Sequence, residues 1–197
     1  MIFLASSPIS CYNEHFESQY EPNKTREHKP AGASIVSAMS QKPNDEKYMR
    51  MALEEAEEAG FRGEVPVGAV LVKEDRVLAR DHNRCIELND PTAHAEVLVL
   101  RKGGGITKNY RLYDTAIYVT TEPCPMCASA MVHSRITRLV FGAWEPKFGA
   151  VESKFRLLED GVLNHRVVVC QGVLEKECAE ILKAFFEKRR LESRNGN

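Results

Sequence analysis

Two short strings, His94-Ala95-Glu96 and Pro123-Cys124-Pro125-Met126-Cys127, constrain this chain more than any other feature. They lie about thirty residues apart and supply one imidazole, two thiolates and a carboxylate that need not be a ligand. Structural zinc sites are closed by four protein ligands, whereas catalytic ones keep three and leave a position for water. Cys124 and Cys127 are three apart, so on one helical turn both sulfurs reach the same side. Pro125 suits a first helical position, where a missing N–H costs nothing, and the positive helix end favours thiolates. His94 and Glu96 are two apart, about 200° around a helix, so they cannot share a face. They serve one ion only if it sits off the N-terminal end of that helix, and Asp90-Pro91-Thr92 is a suitable start. A fold that satisfies both strings must bring two helix N-termini to one point.

Each string alone is weak. A His-x-Glu on a helix is commonly a solvated or salt-bridged pair, and a CxxC is equally a redox motif or half of a zinc knuckle. Together, at two strand–helix junctions, they describe an open catalytic site. A fourth protein ligand would defeat that reading. His133 lies about 240° around the helix from Cys127 and faces away, whereas His82 and Cys85 stay open as candidates.

The rest of the chain alternates. Segments 67–72 and 76–81 read as an antiparallel hairpin around Lys73-Glu74-Asp75, and 115–120, 138–142 and 166–170 as further strands. Helices are expected over 45–59, with Asn44 as N-cap and Gly60 as stop, and over 91–102, ended by Gly103-Gly104-Gly105. Others are expected over 125–134, 153–158 and 176–191. Continuous apolar strands between amphipathic helices indicate an α/β fold with a central sheet covered on both faces.

Composition sets the remaining bounds. A formal net charge of −1 excludes a broadly basic, nucleic-acid-coating protein but not a local basic patch. No apolar run approaches membrane-spanning length, and Met1-Ile2-Phe3-Leu4 is too short for an export signal. Apart from the CxxC pair, Cys11, Cys85, Cys170 and Cys178 are scattered without a disulfide framework, so a reducing, cytoplasmic setting is expected. Residues 1–40 mix Pro, Gly, Asn and Ser with little periodicity and are expected to be a disordered extension, with Met39 an alternative start. The folded domain is then 44–192, followed by a flexible 193–197.

The segments around both strings resemble the cytidine-deaminase-like superfamily of zinc deaminases, and within it the bacterial tRNA-specific adenosine deaminases. The likeness is carried by Glu64-Val65-Pro66-Val67-Gly68-Ala69-Val70, Asn83-Arg84 and Asp90-Pro91-Thr92-Ala93-His94-Ala95-Glu96. It continues through Asn109-Tyr110-Arg111-Leu112, the stretch from Tyr118 to Cys127, His133-Ser134-Arg135-Ile136, Asn164-His165-Arg166 and Phe185-Phe186-Glu187-Lys188-Arg189-Arg190. The resemblance implies a three-layer α/β/α fold around a mixed, mostly five-stranded sheet. It implies one Zn2+ per subunit held by His94, Cys124 and Cys127, with hydroxide in the fourth position and Glu96 as proton shuttle. The implied reaction is hydrolytic deamination of adenosine to inosine at the wobble position of a tRNA anticodon. The implied partners are a tRNA anticodon stem-loop and a second copy of the chain in a homodimer.

Further substrate contacts are implied at Asn83, Glu145, Phe186 and Arg189. Asn83 also reads as a plain turn asparagine, and the last helix as a core aromatic followed by a solvated basic end. His133 and Arg135 fit a dimer interface, a substrate loop or a helix end equally. The segment Ala143-Trp144-Glu145-Pro146-Lys147 departs from the family, whose members usually carry an aspartate where Glu145 stands. Trp144 suits stacking on an RNA base as well as packing. One rival is a deaminase of a free base or nucleoside, guanine or cytosine, on the same fold. Another is a non-catalytic RNA-binding module with structural zinc, which would have no use for Glu96. A chain begun at Met39 is expected to keep full stability and activity; a large loss of either, by thermal melting or assay, would contradict the domain start near residue 44.

Overall fold

A computed structural model describes residues 43–159 and 161–195, so the expectations for residues 1–40, Met39 and Cys11 lie outside the described residues. Along the chain the elements are α1 (Asp45–Phe61), β1 (Gly68–Lys73), β2 (Arg76–His82), α2 (Cys85–Leu88) and α3 (Ala95–Thr107). Then come β3 (Thr115–Thr121), α4 (Pro125–His133), β4 (Arg138–Ala143), β5 (Val168–Gln171) and α5 (Glu175–Asn195). The five strands form one mixed sheet in the order β2-β1-β3-β4-β5. β1 runs antiparallel to both β2 and β3, while β3, β4 and β5 are parallel.

Strand alternation explains the continuous apolar runs. Ala69 and Leu71 of β1, Ile117 and Val119 of β3, and Leu139 and Phe141 of β4 pack with Val99 of α3 and Ala128, Met131 and Val132 of α4. The intervening Val70, Val72, Tyr118 and Val140 pack on the other face with Tyr48, Met49 and Ala52 of α1 and Cys178 of α5. Both faces are therefore covered, as the three-layer expectation requires. No helix among the described residues is long and apolar enough to cross a membrane.

Five local expectations are corrected. The third helix starts at Ala95, not residue 91, because Asp90 accepts hydrogen bonds from Thr92 N and Oγ1 (2.8 and 2.6 Å) and holds a turn. That helix also runs through Gly103-Gly104-Gly105 to Thr107. A Cβ on Gly103 would lie 2.3 Å from Leu71 Cδ2, so the glycine serves close helix–strand packing, which outweighs its poor helix propensity. Asn44 precedes α1 without a side-chain cap, its amide instead reaching Asp75 (3.4 Å). Residues 153–158 form turns rather than a helix, and α2 was not anticipated. The last helix extends to Asn195, past the expected stop.

A buried ion pair ties the layers together. Asp45, fully buried in the first turn of α1, receives both Arg138 nitrogens of β4 (2.7 and 2.8 Å) and the Tyr118 hydroxyl of β3 (3.0 Å). Removing one partner of such a pair strands the other charge in the interior. Asp45→Ala is expected to lower unfolding free energy by about 3–5 kcal/mol in urea titrations, with Asp45→Leu/Arg138→Met recovering most of it. A loss below about 1 kcal/mol in the single variant would show that the pair is not a fastening.

Candidate active site

The sheet gathers the site at one edge. β2 is parallel in direction to β3 and β4, since each of β2 and β3 runs opposite to β1. Gly68 pairs with His82, its N–H reaches Thr120 Oγ1 (3.2 Å), and Thr121 pairs with Ala143, so β2, β3 and β4 end together. The loops leaving those three ends carry Asn83 to His94, Glu122 to Cys127, and Trp144 to Ser153. Ligands of open α/β sheets bind at such carboxyl ends.

His94 is the N-cap residue of α3 and Cys124 that of α4, with Pro125 at the first helical position. Neither caps its helix with its side chain, because both side chains turn to a common point. There His94 Nδ1 lies 3.7 Å from Cys124 Sγ and 3.5 Å from Cys127 Sγ, and the sulfurs are 3.6 Å apart. Tetrahedral angles around a zinc-sized ion would put the two sulfurs about 3.8 Å apart and each about 3.6 Å from the nitrogen. The donor set therefore fits such an ion. Among the described residues no fourth His, Cys, Asp or Glu joins this cluster. His133 is exposed, as expected, and His82 is occupied by Glu55 through its Nδ1 (2.9 Å). Cys85 is outside the cluster as well.

The electrostatics match the geometry. As thiols the two cysteines differ: the hydrogen bond with Cys127 first, and His94 next, pull Cys124 down to about 4 against the effect of burial. Cys127 moves the opposite way, chiefly through that same contact and its burial. A hydrogen bond to Cys124 is also the main reason His94 holds its proton more tightly than a free imidazole. Glu96 sits in the first turn of α3, almost wholly buried and in hydrogen-bonding reach of Cys127. Burial pushes its carboxyl above the ordinary range. A raised carboxyl beside a three-donor cluster is suited to general acid–base work.

The other expected site residues divide. Asn83 is buried against the cluster, and its Oδ1 accepts from Ala95 N (2.9 Å). It thus supplies the cap that His94 withholds, leaving its Nδ2 hydrogens for another partner. Glu145 lies on the loop after β4, where its Oε1 accepts from Lys147 N (2.9 Å). Trp144 packs edge-on against Phe141 with centroids 5.2 Å apart, yet stays 37% exposed. Phe186 and Arg189 belong to a separate group on α5, where every side chain from Phe186 to Arg194 is exposed. There Phe186 stands edge-on to Phe185, and Arg189 lies over the Phe185 ring. Arg135, in a left-handed conformation, donates to both oxygens of Asn164 (3.0 Å each).

Glu122 escaped the sequence reading. Burial disfavours its charge, but hydrogen bonds from Ser153, Glu152 and Glu145 hold its carboxyl below the ordinary range. The one available signal was a charged residue directly before Pro123 at the end of an apolar strand.

A three-layer mixed sheet with a His/Cys/Cys cluster at two helix N-termini and a buried carboxylate beside it defines a hydrolytic deaminase. Residues 43–190 match the MafB19-like deaminase family. The chain is 51% identical over 151 residues to the tRNA-specific adenosine deaminase of Haemophilus influenzae, covering 76% of this chain and 87% of that one. It is 50% identical over 145 residues to the Agrobacterium fabrum tRNA-specific adenosine deaminase, covering 74% and 95%. A structure from a study of A-to-I editing by tRNA:A34 deaminases at the wobble position of transfer RNA matches with a TM-score of 0.68 and 50% identity. That match covers 69% of this chain and 99% of the other. The chain belongs to the tRNA-specific adenosine deaminase family.

Replacing Cys124 with Ala is expected to abolish retention of one equivalent of transition metal and to lower thermal stability, read by elemental analysis and melting. Retention of a full equivalent would mean that the ion sits elsewhere.

Proposed function

We propose that this protein hydrolytically deaminates adenosine to inosine at the wobble position of a tRNA anticodon, with zinc held by His94, Cys124 and Cys127. The observation that carries the reading is Glu96, buried beside a cluster of three donors and no fourth among the described residues. A closed structural site gives such a carboxylate nothing to do. Membership of the tRNA-specific adenosine deaminase family, at up to 51% identity, supports the substrate.

Zinc, when bound, makes a water molecule acidic near neutral pH. Glu96 moves the protons. It takes one from the attacking water and delivers it to the ring nitrogen, then passes the second to the departing amine. The water oxygen ends on C6, the C6–N bond breaks, and ammonia leaves. Asn83 turns an amide N–H toward a purine acceptor, since its oxygen is held by Ala95. The splayed-out base of a single-stranded loop suits a recessed site of this kind. Trp144, Glu145, Phe186 and Arg189 contact the flanking nucleotides, the half-exposed aromatics by stacking and Arg189 through phosphate. A homodimer and a cytoplasmic setting accompany the reading; the unpaired Cys85, Cys124, Cys127, Cys170 and Cys178 suit a reducing compartment.

The deciding experiment incubates the protein with tRNA bearing a wobble adenosine and reads inosine, with free adenosine, guanine and cytosine alongside. Conversion of the free compounds alone would move the assignment to the rival. Glu96→Ala is expected to retain zinc and lose about a hundredfold to ten-thousandfold in kcat. Full turnover in that variant would overturn the proton-shuttle role.

A further inference from the structure

The loop after β4 is held in place by one carboxylate. Glu122 is almost completely buried and stands two residues before Cys124. Its Oε1 accepts from three successive backbone N–H groups, those of Val151 (3.1 Å), Glu152 (2.8 Å) and Ser153 (2.9 Å). Its Oε2 accepts from Glu145 N (3.2 Å) and from the Ser153 hydroxyl. Successive backbone N–H groups around one oxygen form an anion-binding concavity, and here the anion is a side chain of the protein itself.

Two backbone hydrogen bonds flank this clasp. Glu122 N donates to Ala143 O and Ala150 N donates to Pro123 O, both at 2.8 Å. The fit leaves no slack at Gly149, where an added Cβ would lie 2.3 Å from Glu122 Oε2. Both ends of segment 145–153 are thus fastened to the two residues that lead into Cys124. The side chains of Trp144 and Glu145 leave from the fastened end.

We infer that Glu122 is a positioning residue that clasps the loop bearing Trp144 and Glu145 to the metal-binding turn, and so sets where the nucleotides beside the target base can bind. The inference rests on the tRNA-deaminase reading for its substrate, but the clasp itself does not. Five donors converge on Glu122, so its amide analogue must turn an NH2 against at least one of them. In Glu122→Gln, hydrogen exchange at the amides of Glu145 and Val151 to Ser153 is expected to quicken about tenfold or more. KM for the tRNA should rise about tenfold, with kcat within about threefold of wild type and zinc content unchanged.

Unchanged exchange and unchanged KM would overturn the inference. So would loss of zinc with KM unaltered, because Glu122 would then act on the metal turn alone. Should Glu122→Gln fail to fold, Ser153→Ala removes a single donor, and KM is expected to rise about threefold; no rise overturns the proposal. A double-mutant cycle supplies a separate reading. A Cβ at Gly149 would meet Glu145 O (2.5 Å) as well as Glu122, so the disturbance from Gly149→Ala should shrink but persist in a Glu122→Ala background, and strictly additive effects would count against the clasp. Wild-type protein that leaves tRNA unconverted sinks the functional reading, while the exchange measurement still decides on Glu122.

Discussion

Two helix N-termini meet at one point in this protein, and each carries the partial positive charge of its unsatisfied N–H groups. The arrangement is tolerable only if the groups between them are anionic or bind in an anionic form. Cys124 meets that demand as a thiolate, and a bound cation would draw Cys127 into the same form. The sheet exists to make the meeting possible. Because β2 and β3 both oppose β1, their carboxyl ends fall at the same edge, and α3 and α4 start from there with His94 and Cys124 as their N-cap residues.

Using its N-cap residue as a donor leaves α3 without a side-chain cap of its own, and a neighbouring residue makes good the loss. Asn83 caps α3 from the end of β2. Glu64 does the same for α2, accepting from the N–H groups of Ile86 and Glu87 (2.8 and 2.9 Å). Glu122 gathers the N–H groups of the loop after β4. In each case a buried polar side chain satisfies backbone that would otherwise be orphaned near an apolar core. The polar residues around the site are therefore scaffolding first, and Asn83 keeps an amide end free of that duty.

The legibility of the chain follows from this division. His94, Cys124 and Cys127 could be read directly, since donor type and spacing carry their own geometry, and continuous apolar strands between amphipathic helices revealed a sheet covered on both faces. Glu122, Glu64 and Asp45 could not. A buried glutamate that binds amides thirty residues away looks like any other glutamate, and Asp45 meets Arg138 across 93 positions of sequence. The glycine triplet misled for a related reason: propensity marks 103–105 as a stop, but close packing against Leu71 overrides it.

The site also separates chemistry from selection. On the proposed reading, proton movement needs only Glu96 and the three donors, all on the two helix starts. On that proposed reading, substrate choice falls to the loop after β4 and to α5, whose exposed end carries Phe186 and the basic Lys188, Arg189 and Arg190. The segment Trp144-Glu145-Pro146 belongs to that loop. Pro146 has no N–H, yet the clasp does not need one there: the amides that reach Glu122 belong to residues 145 and 151–153. A stiffer loop tip is therefore compatible with an unaltered base. The segment between those anchor points can change without moving the turn that carries Cys124, provided that position 149 stays glycine and position 122 stays a carboxylate.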